Sequence, residues 1–304
     1  MTSTTGTPIS RFMLVVLTLM GMATVACGTH GSASQAPSSK GKVIITEKPG
    51  VRIHTYISPE ESTFVTSQLI EGRHGLVLVD AQFFLPYARE LRRYADSVGK
   101  PIQRVIVSHA HPDHWFGLAE FADLPIYSLA DTSQFITQKG HERLDALRQS
   151  FGDLVPTAAV APGHVMKPGV ETIDGVRYEY ERLTDAEGDV HLLIKLPEAR
   201  TVIAQDLAFN NVHLFLGNNT PQHWITILES LQTLDGYDTV LVGHGEPTDK
   251  SVYGDNIGYL KDAIPVLASA RTTNELKARL LERYPDRRAP SLLDISGLYL
   301  YGGR

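Results

Sequence analysis

Hydrophobic and polar positions alternate along the chain in a way that predicts a β-rich start with helices set between later strands. Residues 43–45, 51–57 and 62–70 are rich in β-branched side chains and broken by Pro and Gly, which predicts short strands. Residues 75–80 (GLVLVD) form a continuous apolar run ending in an acid, the pattern of a strand buried on both faces. Residues 86–98 then place Leu91, Tyr94 and Ala95 at helical spacing, closed by Gly99. A second buried strand is predicted at 104–108, and shorter ones at 124–128, 176–182, 191–196, 200–204 and 239–242. Helices are expected at 130–151 (one or two), at 224–234 and, as a further pair, within 256–284. No internal repeat and no second linker interrupts this order, so residues 43–304 read as one domain.

The N-terminus has a different pattern. Arg11 precedes an uncharged apolar run, 12–26. That run falls short of the roughly 20 residues a membrane helix needs and suits the core of a signal peptide. It ends at Ala26-Cys27-Gly28, and Cys27 is the single cysteine of the chain. Small residues before a cysteine at this point resemble a bacterial lipoprotein processing site. On that resemblance residues 1–26 are removed, Cys27 is lipidated, and the protein is a membrane-anchored lipoprotein of the cell envelope, periplasmic or on the outer surface. Thr24 departs from the pattern, which usually has Leu there, so cleavage by ordinary signal peptidase is the alternative. Residues 28–42 (GTHGSASQAPSSKGK) hold almost nothing apolar, and 27–42 is expected to be a flexible tether. With one cysteine no disulfide forms within the mature chain.

A net charge of −6 and no block of like charges give no electrostatic footprint for nucleic acid. A small molecule is the expected partner; the sequence does not specify an oligomeric state.

The chemistry concentrates in Ser108-His109-Ala110-His111-Pro112-Asp113-His114, where a buried strand ends. Histidines two apart past a strand can turn both rings to one point, and neutral imidazole is the commonest zinc ligand. Beyond the rigid Pro112, Asp113 and His114 can face a second point nearby. Two adjacent metals form an arrangement that activates water and clamps a displacement.

His109-Ala110-His111-Pro112-Asp113-His114 resembles the HxHxDH signature of the metallo-β-lactamase superfamily, over about residues 43–249. The resemblance implies an α+β fold, a four-layer αββα sandwich with metals at one edge, and hydrolysis by a metal-bound hydroxide. It also implies the remaining ligands: Asp206 (TVIAQD) bridging two metals, and His244 (LVGHGEP) completing the second site. Asp80 resembles an acid that braces a ligand without binding metal. The third histidine of the first site is replaced. Ten residues before Pro197 stands Glu187, with Asp185 and Asp189 as fallbacks and His191 a weaker candidate inside a strand. A carboxylate there still ligates zinc, and shifts preference toward iron or manganese.

The expected cofactor is therefore Zn2+, two per chain, with Fe or Mn as alternatives. His109, His111 and Glu187 hold one metal and Asp113, His114 and His244 the other, with Asp113 also orienting the nucleophile. His213, in the loop after Asp206, is expected at substrate or behind a ligand, and Trp115 and Phe116 either as an apolar pocket wall or in helix-to-sheet packing. His54, His74, His141 and His164 are expected in surface or turn positions. The substrate expected is a small ester, lactone, thioester or related molecule. A β-lactam hydrolase, or a non-hydrolytic redox or binding lipoprotein on the same fold, are the competing readings. The loops 130–170 and 208–222 should set specificity.

Overall fold

A computed structural model describes residues 39–218 and 220–302; the expected signal peptide, Cys27 and most of the tether lie outside them. The first sheet has seven strands in sequence order: β1 (Lys42–Lys48), β2 (Val51–Ile57), β3 (Thr66–Glu71), β4 (Leu76–Val79), β5 (Ile102–Val107), β6 (Ile126–Leu129) and β7 (His164–Met166). β1 to β4 pair antiparallel; from β4 to β7 the pairing is parallel. The second sheet runs β12 (Thr239–His244), β11 (Thr201–Phe209), β10 (Val190–Leu196), β9 (Val176–Thr184), β8 (Gly169–Ile173), with only β11 and β12 parallel.

The inner faces of the two sheets bury Ile53, Val77, Val79 and Ile106 against Ile194, Ile203 and Leu241. Helices α1 (Leu85–Ser97) and α3 (Ala130–Phe151) cover the first sheet, burying Leu91, Ile136 and Leu144 with Leu78, Val105 and Val107. On the second sheet α4 (Pro221–Gln232) and α5 (Ser251–Ser269) bury Trp224, Leu228 and Leu260 with Val202 and Phe209. The result is the expected αββα sandwich. The four-residue α2 (Pro112–Trp115) follows β5, while α6 (Thr273–Arg283) and α7 (Ser291–Tyr301) end the chain.

Several elements differ from the sequence expectation, each for a local reason. Residues 60–62 form a 3-10 turn and Thr63 and Phe64 adopt positive φ, so the strand expected from 62 begins only at Thr66. Strands β7 and β8 are short and largely solvent-exposed, leaving no apolar alternation to read. The segment 130–151 is one continuous helix. Helix α7 buries Asp294, Ser296 and Gly297 beside Leu292 and Leu293 while exposing Ile295, so its buried face mixes polar and apolar residues and shows no amphipathic stripe. Strand β11 was expected to stop at Ala204, but it runs through Asp206 to Phe209, every residue buried.

Leu91 is fully buried between α1 and the first sheet. Leu91→Ala is expected to destabilise the fold by about 2–5 kcal/mol, read as a lowered urea midpoint at unchanged m-value; an unchanged midpoint would contradict this packing.

Candidate metal centre

The ends of β5 and β12, the turn between β9 and β10 and a kink within β11 deliver the ligand-type side chains to one edge of the sandwich. Past β5, His109 is bridged to His191 of β10, and Leu192 N–H donates to the Ser108 carbonyl, so the histidine loop is tied to the opposite sheet. Pro112 takes the first helical position of α2, and its fixed φ turns the chain sharply after His111. Asp113 and His114 thereby come round to a different point from His109 and His111. Glu187 sits in the β9–β10 turn, closed by Asp185 N–H to the Asp189 carbonyl and Ala186 N–H to the Gly188 carbonyl. Asp206 lies on β11 after a register shift at Gln205, whose φ is 44°. His244 ends β12. Gly243 precedes it because a Cβ there would fall 1.7 Å from Asp206 Oδ1.

These side chains form two groups that share Asp206. His109, His111, Glu187 and Asp206 make one; Asp113, His114, Asp206 and His244 make the other, with ligand atoms in each within 4.8 Å of one another. His111 Nδ1 is 2.9 Å from Glu187 Oε1, and His109 Nε2 is 3.8 Å from both Glu187 Oε2 and Asp206 Oδ2. His114 Nε2 lies 3.0 Å from Asp206 Oδ1, and His244 Nε2 lies 3.3 Å from Asp206 Oδ2 and from Asp113 Oδ2. His109 Nε2, His114 Nε2, both Glu187 oxygens and Asp206 Oδ1 are nevertheless buried without a properly directed hydrogen bond. Buried polar atoms without partners are costly. Here they converge on two points, and nitrogen and carboxylate oxygen are the donor set of zinc. The residues fit a dinuclear metal centre.

The electrostatics divide the ligands. Burial, with His114 and His191 beside it, pushes His109 well below its ordinary value. Burial would do the same to His114, but the carboxylates of Asp206, Asp113 and Asp80 hold it well above. His244 is likewise carried, against burial, to about 10 by Asp206 and Asp113. Asp206 is buried, yet His114 and His244 keep it well below the usual carboxylate range. Burial pushes Glu187 up to about 7, against the pull of His111. Protons on His114 and His244 thus balance the buried carboxylates, and a divalent cation bound there would displace them.

Behind the ligands lies Asp80, fully buried at the end of β4 with φ 61°. It accepts from Ser108 N–H at 2.8 Å, Ser108 O–H at 2.7 Å, His114 Nδ1 at 2.8 Å and the Gln205 amide. That assigns the proton of His114 to Nδ1 and aims the Nε2 lone pair at the second group. His244 Nδ1 donates to the Thr63 carbonyl in the same way, at 2.7 Å.

Other candidates fall elsewhere. His213, expected near substrate, is fully buried and meets the Tyr259 hydroxyl of α5 at 2.9 Å; burial lowers it to about 4. Trp115 and Phe116, expected as a pocket wall or in helix-to-sheet packing, belong to the core under α1 and not to a wall, because the Trp115 indole is turned inward to donate to the Ala110 carbonyl. Asp185 and Asp189 are in neither ligand group. His191 lies inside β10, where its Nε2 accepts Gly188 N–H at 2.8 Å and stands 3.4 Å from Glu187 Oε2, so it supports the turn that carries Glu187. His54 is buried, not superficial, held between Tyr94 and Glu71.

A cleft of about 350 Å³ opens over His109 and His111, walled by α3 through Phe135 and Arg143 and by α7 through Tyr299. Of the three carboxylates, Asp113 has 22% side-chain exposure, against 1% for Glu187 and 3% for Asp206.

Residues 62–244 match the family model described as Metallo-beta-lactamase superfamily. A linear primary-alkylsulfatase of Pseudomonas sp. (strain ATCC 19151) is 22% identical over 221 residues, 59% of this chain and 41% of that protein. The chain thus spans about two fifths of that curated relative. A metallo-β-lactamase of Pontibacter korlensis superposes with a TM-score of 0.57 at 17% identity, covering 73% of this chain and 100% of that one. The FIM-1 metallo-β-lactamase of Pseudomonas aeruginosa, in its mono-zinc form, gives 0.54 at 18% identity, covering 74% and 97%.

Asp80→Asn puts an amide N–H where the carboxylate accepted its donors. Zinc affinity is expected to fall about 10–100-fold in competition against a chromogenic chelator, with circular dichroism unchanged; wild-type affinity would show that Asp80 does not position His114.

Proposed function

The chain belongs to the metallo-β-lactamase superfamily; we propose that it is a dinuclear, zinc-dependent hydrolase of a small ester, lactone, thioester or related substrate. The observation that carries this reading is the pair of ligand groups sharing Asp206, with buried nitrogen and oxygen atoms that no protein donor or acceptor satisfies. His109, His111 and Glu187 would hold one ion and Asp113, His114 and His244 the other, with Asp206 between them. Zinc bound there would lower the pKa of water and polarise the scissile group.

The chain's own residues divide the remaining work. Asp113, as the most exposed of the three carboxylates, is placed to orient an attacking water and to take up its proton at a carboxylate oxygen. His114 and His244 are fixed in tautomer by Asp80 and the Thr63 carbonyl, so their Nε2 atoms stay aimed inward during turnover. Phe215 packs edge-on against His111 at 5.2 Å, shielding that imidazole from bulk water. A harder oxygen ligand at Glu187 keeps iron and manganese in consideration as the resident metal.

The sulfatase relative supports a sulfate ester as one member of the substrate range. The β-lactamase neighbours, at 17% and 18% identity, support the sandwich and carry no argument for a β-lactam substrate.

Metal analysis of purified protein is expected to return about two zinc per chain. Chelation should abolish turnover across a panel of ester, lactone, thioester, phosphodiester, sulfate and β-lactam substrates, with zinc restoring it. Glu187→Gln and Asp206→Asn should each lower kcat/KM by more than about 100-fold, beyond what loss of an outer support costs. Protein that purifies without metal and binds none would overturn the hydrolase reading, and one iron per chain with redox activity would favour the competing one.

We also propose export and lipid anchoring at Cys27, on the strength of the uncharged run 12–26 and the small residues before the cysteine. In bacterial expression, Cys27→Ser is expected to move the protein from the detergent to the aqueous phase in Triton X-114 partitioning. Unchanged partitioning, or a mature N-terminus other than residue 27 by mass spectrometry, would count against lipidation.

A further inference from the structure

Among the described residues, Arg143 is the sole lysine or arginine lining the cleft over His109 and His111. No Asp or Glu of the described residues forms an ion pair with it, whereas Asp131, at the same cleft, is taken by Arg182 through two contacts of 3.0 Å. Aromatic rings hold the Arg143 guanidinium instead. Its Cζ stands 5.6 Å from the Tyr299 ring centre and 6.0 Å from that of Phe135. Tyr299 packs edge-on against Phe215 at 5.2 Å, and Phe215 packs edge-on against His111 at the same distance. A continuous aromatic chain therefore connects the guanidinium to a metal-ligand imidazole. Burial raises the Tyr299 phenol, Arg143 opposes this, and the Asp113 and Glu187 carboxylates add to it, as expected for a ring lying between the cation and the centre.

Stacking on rings orients a guanidinium without using its N–H donors. The planar fork stays available for a two-point contact with an oxyanion, the recognition that guanidinium performs best. Arg143 adds a positive charge at the cleft wall, where the rest of the substrate lies. Phe215 and Tyr299 intervene between Arg143 and His111, so the group it meets lies away from the bond being cleaved.

We propose that Arg143 docks a carboxylate or sulfonate on the substrate several bonds from the scissile group, making the substrate an ester-type molecule with a remote negative charge. The proposal rests on the hydrolase reading for the reaction, but anion docking can be measured without turnover.

The test uses zinc-loaded protein. Titration calorimetry compares monomethyl glutarate and propane-1-sulfonate with neutral dimethyl glutarate, on wild type, Arg143→Gln and Arg143→Lys. At least one anion is expected to bind wild type about tenfold or more tighter than the neutral diester, and to lose at least about tenfold in Arg143→Gln, with Arg143→Lys intermediate. The tighter of the two anions identifies the headgroup. Equal anion affinity in wild type and Arg143→Gln would overturn the proposal, because binding would then lie elsewhere, the metals included. Should Arg143→Gln not fold by thermal melt, Arg143→Lys carries the comparison, and wild-type affinity there for both anions overturns it. A kinetic arm compares phenyl hydrogen glutarate with phenyl pentanoate: the wild-type preference for the anionic ester should fall at least about tenfold in Arg143→Gln, and an unchanged preference counts against docking. Absence of hydrolysis of either ester and of every substrate in the wider panel would overturn the hydrolase reading while the calorimetry still judges the docking site.

Discussion

The Asp80 carboxylate is the contact on which the site depends. It sits where β4 stops, in a left-handed conformation that non-glycine residues seldom adopt, and it is fully buried. A buried carboxylate is tolerated only when donors surround it. Asp80 finds them on three segments at once: the backbone and hydroxyl of Ser108 at the end of β5, the imidazole of His114 on α2, and the amide of Gln205 on β11. The first two belong to one sheet and the last to the other. Satisfying one charge therefore sets the spacing of the two sheets at the edge where the ligands project. Gln205 occupies a positive-φ kink, the next residue is Asp206, and the kink that brings the amide to Asp80 also turns the shared carboxylate toward both ligand groups.

The centre built on that brace carries more negative charge than its own imidazoles balance without protons. Asp113, Glu187 and Asp206 face imidazoles of two kinds: burial pushes His109 well below its ordinary value, whereas the carboxylates raise His114 and His244 above theirs. A divalent cation bound there would substitute a stronger and more fixed balance for those protons. Metal binding and folding are linked through this exchange, since ligands that converge only in the folded chain stabilise it in proportion to how tightly they hold the ion.

The parts of this arrangement legible in the sequence share one property: they sit where an apolar run meets a polar residue. His109, His111, Asp113 and His114 follow the run 104–108, Asp80 closes 75–80, and Asp206 and His244 end later runs. Chain order is enough to place them because a buried strand can end only at the sheet edge. Glu187 needed more, a count back from Pro197, because a turn has no period of its own. The sandwich followed from the same runs. What stayed hidden depends on packing between segments distant in sequence. His213 reads in sequence as a neighbour of Asp206, but β11 continues five residues beyond Ala204, and the loop delivers the ring to Tyr259 on α5. Trp115 adjoins His114, yet its indole turns back under α1, since successive side chains on a helical turn point about 100° apart. Helix α7 carries no legible stripe because Asp294, Ser296 and Gly297 are buried while Ile295 is exposed.

That helix bears on how specificity arises. The ligands come from strand ends and a tight turn, rigid positions that a sandwich supplies whatever it hydrolyses. The cleft wall comes from α3 and α7, helices that touch the site through long side chains: Phe135, Arg143 and Tyr299. The Asp80 brace itself is made by Ser108, His114 and Gln205, none of which belongs to that wall. The chemistry and the choice of substrate are thus carried by separate layers of the fold. A helix packed across the cleft can alter which molecules enter without disturbing the charge balance that holds the metals.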